Sequence, residues 1–296
     1  MPNPSVLVCI SYSKTLIDGV EMMPIPQKSP LSSKTKIDIL IPAIEKDLVT
    51  LPFVIDSVRK YVKHPIGQIM IVAPRKKRIM DLCVRKGCKF INENTVLPIT
   101  KKDINYRSKT WERSGWLFQQ LLKLNGDTLG SSNFFLAIDA DTVMIRPHVF
   151  RTRNKTVFYT RNWSRNEYFT TYRKLLGKKR STSTSFVTHY MLFEKSRLVE
   201  MKRVIEAKHH RRWYSAIIRS MDKTKQFAFS EFETYANYVY STHPEGLILK
   251  KSLNKGLNMS VTQASETRVN RLSKQYRSIS FHKRKDYSRK LTVKRK

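Results

Sequence analysis

Phe134-Phe135-Leu136-Ala137-Ile138 runs directly into Asp139-Ala140-Asp141-Thr142. Five consecutive apolar residues, too short a run for a helix, read as a buried strand. Val143, Met144 and Ile145 then continue apolar and extended to Pro147. An acidic pair between two apolar runs is hard to explain as loop surface. Carboxylates at i and i+2 after a strand can face one side of a turn. Two such oxygens suit a hard divalent ion that keeps further positions for phosphate oxygens and water. The plain alternative is a pair of solvated turn aspartates.

Upstream, Ile37 to Pro42 is an apolar run ended by proline, which predicts a buried strand. Glu45 to Lys63 carries apolar residues at helical spacing. A second strand over Ile66 to Ala73, a helix over Arg75 to Lys86 capped by Gly87, and a third strand over Cys88 to Asn92 follow. This alternation predicts parallel strands joined by crossover helices, half of a Rossmann-like sheet. Lys109 to Asn125 reads as a helix before the Phe134 strand. Downstream, strands are expected at Val157 to Thr160, Phe186 to Phe193 and Gly246 to Leu249. Ser164 to Arg180 reads as a helix then a loop, with further helices at Ser196 to Lys208, Trp213 to Met221 and Ser230 to Tyr240. Ligands of such folds bind outside the carboxyl ends of the strands. Glu45 and Asp47, Glu93 and Asn94, and Asp139 and Asp141 are therefore expected to converge there.

The chain has 296 residues, 40% hydrophobic, enough for one large α/β domain. Residues 1–33 read as a proline-rich arm with one short strand at Val6 to Ser11, 34–250 as the α/β domain and 251–296 as a basic tail. No apolar run approaches the roughly 20 residues that span a bilayer, and no secretory leader is evident, which predicts a cytoplasmic protein. Cys9, Cys83 and Cys88 have no zinc-site spacing and read as free thiols. Lys and Arg number 57 against 23 acids, a net charge of +34. Residues 250–296 hold 15 Lys and Arg and two acids, hence +13. Such a field attracts nucleic acid, anionic lipid or phosphate-bearing substrates.

The Phe134–Asp141 segment resembles the strand and DxD motif of GT-A fold glycosyltransferases. Gly115-Trp116-Leu117-Phe118-Gln119-Gln120-Leu121-Leu122-Lys123 resembles the G-W-x-x-Q-Q-x-x-K helix of a bacterial group of GT-A-like proteins, the DUF6492 type. Ser230-Glu231-Phe232-Glu233-Thr234-Tyr235 resembles its S-E-x-E-x-Y segment. The similarity covers about residues 37–245. It implies a mixed, mostly parallel GT-A sheet flanked by helices, a single domain. It also implies a nucleotide-diphosphate sugar donor, Mn²⁺ or Mg²⁺ on Asp139 and Asp141, and a glycan or lipid-linked acceptor.

Site candidates follow. Arg113, Trp116, Gln120 and Lys123 are candidates for the donor, with Lys123 offsetting phosphate charge; the other reading is a core helix with a polar outer side. Glu45, Asn94 and Asp139 join them at the strand ends. Glu231 and Glu233 open a helix, where acids complement its dipole; either could be the base that activates an acceptor hydroxyl. They lie roughly 200° apart on the helix, so both cannot face one site, and Glu231 is favoured. His189 interrupts an apolar strand as a core residue or a proton carrier. His282 is a tail histidine or a third metal ligand.

Two other functions compete. The basic tail interleaves aromatic residues with its charges, as a nucleic-acid strip would, yet no nucleic-acid motif accompanies it, so specific binding is not expected. The same charges would hold the protein to the inner face of an anionic membrane. A nucleotidyltransferase would share the sheet and paired carboxylates, but its glycine-rich phosphate loop is missing from Pro42-Ala43-Ile44-Glu45.

Overall fold

The computed structural model describes residues 32–282. The strand expected at Val6 to Ser11, Cys9 and the end of the basic tail lie outside them. In chain order the first elements are β1 (Ile37–Pro42), α1 (Leu51–Tyr61), β2 (Ile66–Ala73), α2 (Lys77–Arg85) and β3 (Lys89–Asn92). Next come α3 (Lys101–Ile104), α4 (Ser114–Leu124), β4 (Phe134–Ile138), β5 (Thr142–Met144), β6 (Arg151–Thr152) and β7 (Lys155–Thr160). The second half holds α5 (Asn166–Leu176), β8 (Tyr190–Glu194), α6 (Lys195–His209), α7 (Trp213–Ser220) and α8 (Glu231–Thr242). It closes with β9 (Leu247–Lys251), β10 (Asn254–Leu257), α9 (Glu266–Ser273) and β11 (Ser278–Phe281).

The main sheet has the order β3-β2-β1-β4-β8. The first four strands are parallel, and β8 runs antiparallel beside β4, with Ile138 opposite Tyr190. All six residues of β1 are buried, as expected of a central strand covered on both faces. One of them is charged. The Asp38 carboxylate accepts backbone N–H groups from Gln68, Ser131 and Ser132 at 2.8–2.9 Å, which compensates its burial. Gly67 and Gly130 make that possible, because a Cβ on either would press into the carboxylate.

Helices cover both faces. Leu51, Val54, Ile55 and Val58 of α1 and Ile79, Leu82 and Cys83 of α2 pack one side. Leu117, Leu121 and Leu124 of α4 join Tyr172, Leu198, Ala216 and Tyr235 on the other. Boundaries depart from the sequence reading where backbone chemistry intervenes. The expected Glu45–Lys63 helix splits into a 3-10 turn over Glu45–Val49 and α1, which starts with Pro52 in its first turn. The Phe186–Phe193 strand begins only at Tyr190, because His189 takes the left-handed conformation (φ 71°).

Residues 254–281, expected within a basic tail, fold. β11 pairs antiparallel with β5 and parallel with β10. Ile145, Leu257, Val261, Ile279 and Phe281 form a third, smaller core. The apolar residues here are few and widely spaced, which hid the element in a run of charge. Among the described residues no helix is long and apolar enough to cross a membrane. Cys83 and Cys88 are free thiols.

Candidate active site

A cleft of about 960 Å³ opens at the carboxyl ends of the parallel strands. Ile44 and Asp47 follow β1, Glu93 follows β3, and Asp139 and Asp141 follow β4. The α4 residues from Ser114 to Lys123 and the start of α8 form the opposite wall. Of the expected strand-end residues, Glu45 and Asn94 are exposed and do not line it. Their neighbours Asp47 and Glu93 are buried and do. The tight 3-10 turns after β1 and β3 decide this. Asp47 turns back to accept the Ile44 N–H at 2.9 Å, and periodicity does not reveal which residue of such a turn faces inward.

Lys123 holds the centre. Its ammonium donates to one oxygen of Asp139 and, at 2.7 Å, to Glu231. Phe232 presents its ring 4.4 Å from the same nitrogen. Burial by itself would lower the Lys123 pKa, but the two carboxylates outweigh it and hold the group above the ordinary lysine value. Burial would likewise raise Asp139, yet Lys123 and His189 pull it well below the usual carboxylate range. For Glu231 the balance reverses. Burial dominates over the attraction of Lys123 and leaves its carboxyl raised.

His189 approaches Asp139 from β8. Its Nδ1 lies 3.1 Å from the second Asp139 oxygen, and its carbonyl accepts the Asp139 N–H at 2.9 Å. Ligand atoms of Asp139, Asp141 and His189 all lie within 4.8 Å of one another. Bonds of about 2.0–2.6 Å to a central ion place donors at most roughly 4–5 Å apart, so the three fit one divalent cation. The expected third ligand, His282, also lines the cleft, but its ring centre is 6.2 Å from that of His189 and it stands outside the cluster. The antiparallel pairing of β4 with β8 is what brings residue 189 beside 139, and no local pattern announced it.

The strand β11 grips the aspartate turn. The Phe281 N–H donates to the Asp141 carbonyl at 2.9 Å, and the Ser280 and Thr142 hydroxyls meet at 2.8 Å. On the far wall, Gln120 accepts the Glu231 N–H at 3.1 Å through its amide oxygen. Its buried Nε2, in a cleft-lining residue, has no hydrogen-bond partner among the described residues. The Arg113 guanidinium lies over the rings of Trp116 (5.4 Å) and Phe227 (4.5 Å). Glu233 does not reach the cleft. It accepts from the Ser185 hydroxyl and from Asn237 Nδ2 at 3.1 Å, while its N–H donates to Ser230 at the helix cap. Sequence reading missed Tyr168 and Phe227, cleft residues with no motif to mark them.

A family model described as a family of unknown function (DUF6492) matches residues 34–269. The chain belongs to that family. No curated protein matches it. Among solved structures, the apo form of the bifunctional glycosyltransferase WbbM is similar over 86% of this DUF6492 chain at 13% identity, with a TM-score of 0.50. The chain spans about half of that protein, 47%. Mouse xyloside xylosyltransferase 1 aligns over 84% of this chain and 98% of its own at 12% identity, with a TM-score of 0.46. The fold of this DUF6492 member is the GT-A glycosyltransferase fold.

Proposed function

We propose that this protein is a metal-dependent glycosyltransferase that moves a sugar from a nucleotide-diphosphate donor to a glycan or lipid-linked acceptor. The observation that carries the reading is the Asp139–Asp141–His189 cluster at the mouth of a GT-A cleft. These three residues would hold the ion, and a nitrogen among the donors favours a first-row transition ion such as Mn²⁺ over Mg²⁺. Once bound, the ion would neutralise the donor diphosphate and stabilise it as a leaving group. Arg113, Trp116 and Gln120 supply further donor contacts, with the unpartnered Gln120 Nε2 offering a hydrogen bond. Lys123 keeps Asp139 ionised and orients Glu231. Glu231, buried at the cleft wall with a raised pKa, is the group assigned to take the acceptor proton. His282 lines the same cleft and would contact substrate there. The protein works on the cytoplasmic side, with its positive charge favouring contact with anionic membrane.

The test is a panel of nucleotide sugars with Mn²⁺, Mg²⁺ or EDTA, read by thermal shift and by nucleoside-diphosphate release. One donor is expected to stabilise the protein only with metal, and Asp141→Ala to lose both effects while keeping its fold. Wild-type turnover by Asp141→Ala would sink the metal assignment. A protein that binds no nucleotide sugar under any condition would sink the transferase itself.

A further inference from the structure

Cations and aromatic rings alternate along one wall of the cleft and continue beyond it. Trp116, Arg113 and Phe227 line the cleft. Phe227 lies between two guanidiniums, Arg113 at 4.5 Å and Arg165 at 4.0 Å. Arg165 also lies 5.7 Å from the Trp163 ring, and Arg161 covers that ring at 3.8 Å. The series therefore reads Trp116, Arg113, Phe227, Arg165, Trp163, Arg161, from the cleft to an indole that is 56% exposed. Tyr168 ties the outer members to the cleft. It lines the cavity, and the charges of Arg165 and Arg161 act on its phenol, which burial nonetheless pushes up to about 12.

Stacking uses the face of a guanidinium and leaves its in-plane N–H donors open. The Arg165 guanidinium makes no hydrogen bond and no ion pair with a described residue, and the Arg161 guanidinium spends only its Nε, on the Trp163 carbonyl at 3.1 Å. The wall is also held in place. The Tyr106 hydroxyl donates to the Lys225 carbonyl at 2.5 Å and accepts the Ala228 N–H at 3.0 Å, fixing the loop that carries Phe227. The exposed Trp163 indole offers a platform for the face of a sugar ring. The guanidinium edges beside it fit phosphate or carboxylate oxygens.

Resting on the glycosyltransferase reading, we infer that Arg161, Trp163, Arg165 and Phe227 form an acceptor subsite for an anionic saccharide, a glycan whose residues carry carboxylate or phosphate groups. Inner Arg113 and Trp116 remain with the donor, so the ladder joins the two substrates across one cleft. Nothing in the subsite selects a neutral glycan over a charged one of the same length.

The experiment measures binding of three oligosaccharide sets of equal length by calorimetry: oligogalacturonates, phosphorylated maltooligosaccharides and unmodified maltooligosaccharides. Wild-type protein should bind at least one charged set at least tenfold more tightly than the neutral one. Arg161→Gln/Arg165→Gln should erase that preference, and Trp163→Ala should weaken binding of the same set. Arg165→Lys, which keeps charge but not the planar stack, should fall between. The thermal shift with donor and Mn²⁺ should be unchanged in all variants, which separates this subsite from the donor site and reports that the variants fold. Equal affinity for neutral and charged sets, no binding of either charged set, or wild-type preference in the double variant would overturn the inference. Loss of the donor shift in wild type would overturn the function on which it rests.

Discussion

Replacing Lys123 by methionine keeps the volume of a buried stem and removes the charge that Asp139 and Glu231 share. Leaving the buried Glu231 carboxylate without its cation costs about 3–5 kcal/mol, and Asp139, whose side chain is 31% exposed, adds less. Lys123→Met should lose that much in urea unfolding, and Lys123→Met/Glu231→Gln should lose less, because the second change removes one of the stranded charges. Equal losses would mean that Glu231 does not depend on Lys123. His189 tests the backbone as well as the ring. At φ 71° an alanine keeps the strain that glycine relieves. His189→Gly should therefore be about 1 kcal/mol more stable than His189→Ala, while both bind Mn²⁺ more weakly than wild type in calorimetry.

Two buried histidines tie the start of the sheet to the segment before β6. His64 places Nδ1 2.9 Å from the Thr35 carbonyl, so that nitrogen carries the proton and Nε2 accepts the Phe150 N–H at 2.9 Å. His148 has the same arrangement, with Nδ1 2.8 Å from the Arg146 carbonyl and Nε2 3.1 Å from the Tyr190 hydroxyl. Burial lowers the His64 pKa and pushes His148 down to about 3. Both folded values lie below the unfolded 6.5, so as pH falls the unfolded chain takes up protons first. The stability these rings contribute is complete above about pH 6.5. For His148 it is lost toward pH 3, at up to about 1.4 kcal/mol per pH unit. Chemical denaturation across that range should show the slope, and His148→Phe should flatten it. The strand β11 makes a second claim at this scale. A chain ending at residue 252 lacks the partner of β5 and the third core, whose large apolar side chains contribute about 1.5–3 kcal/mol each. It should melt earlier and bind Mn²⁺ more weakly, since Phe281 no longer holds the Asp141 carbonyl; an unchanged melting curve would restore the view of this segment as a dispensable tail.

A net charge of +34 on one chain acts at the scale of the whole molecule. Screening shortens its reach from about 10 Å at 0.1 M salt to about 3 Å at 1 M. Cosedimentation with phosphatidylserine vesicles should be strong at low salt and disappear on approaching 1 M, with no binding to phosphatidylcholine. Salt-resistant binding would point to an inserted apolar anchor instead.

The alternating β-α pattern from Ile37 to Asn92, the Phe134–Ile138 strand and the Asp139–Asp141 turn that follows it were legible in the sequence, because burial on both faces writes itself as unbroken apolar runs. That Glu231 and Glu233 do not share the cleft was legible too, since 100° per residue separates their directions on one helix. Tertiary structure decided the rest. His189 entered the aspartate cluster through antiparallel pairing between strands some 50 residues apart. Of the expected pairs Glu45 with Asp47 and Glu93 with Asn94, only Asp47 and Glu93 line the cleft, because single-turn helices orient side chains without periodicity. The strand β11 closed against the aspartate turn through three paired residues and the Phe281 N–H, whose partners are distant in the chain. Local order follows from the sequence because it depends on neighbours. The site's membership depends on which distant strands share an edge, and only the folded chain fixes that.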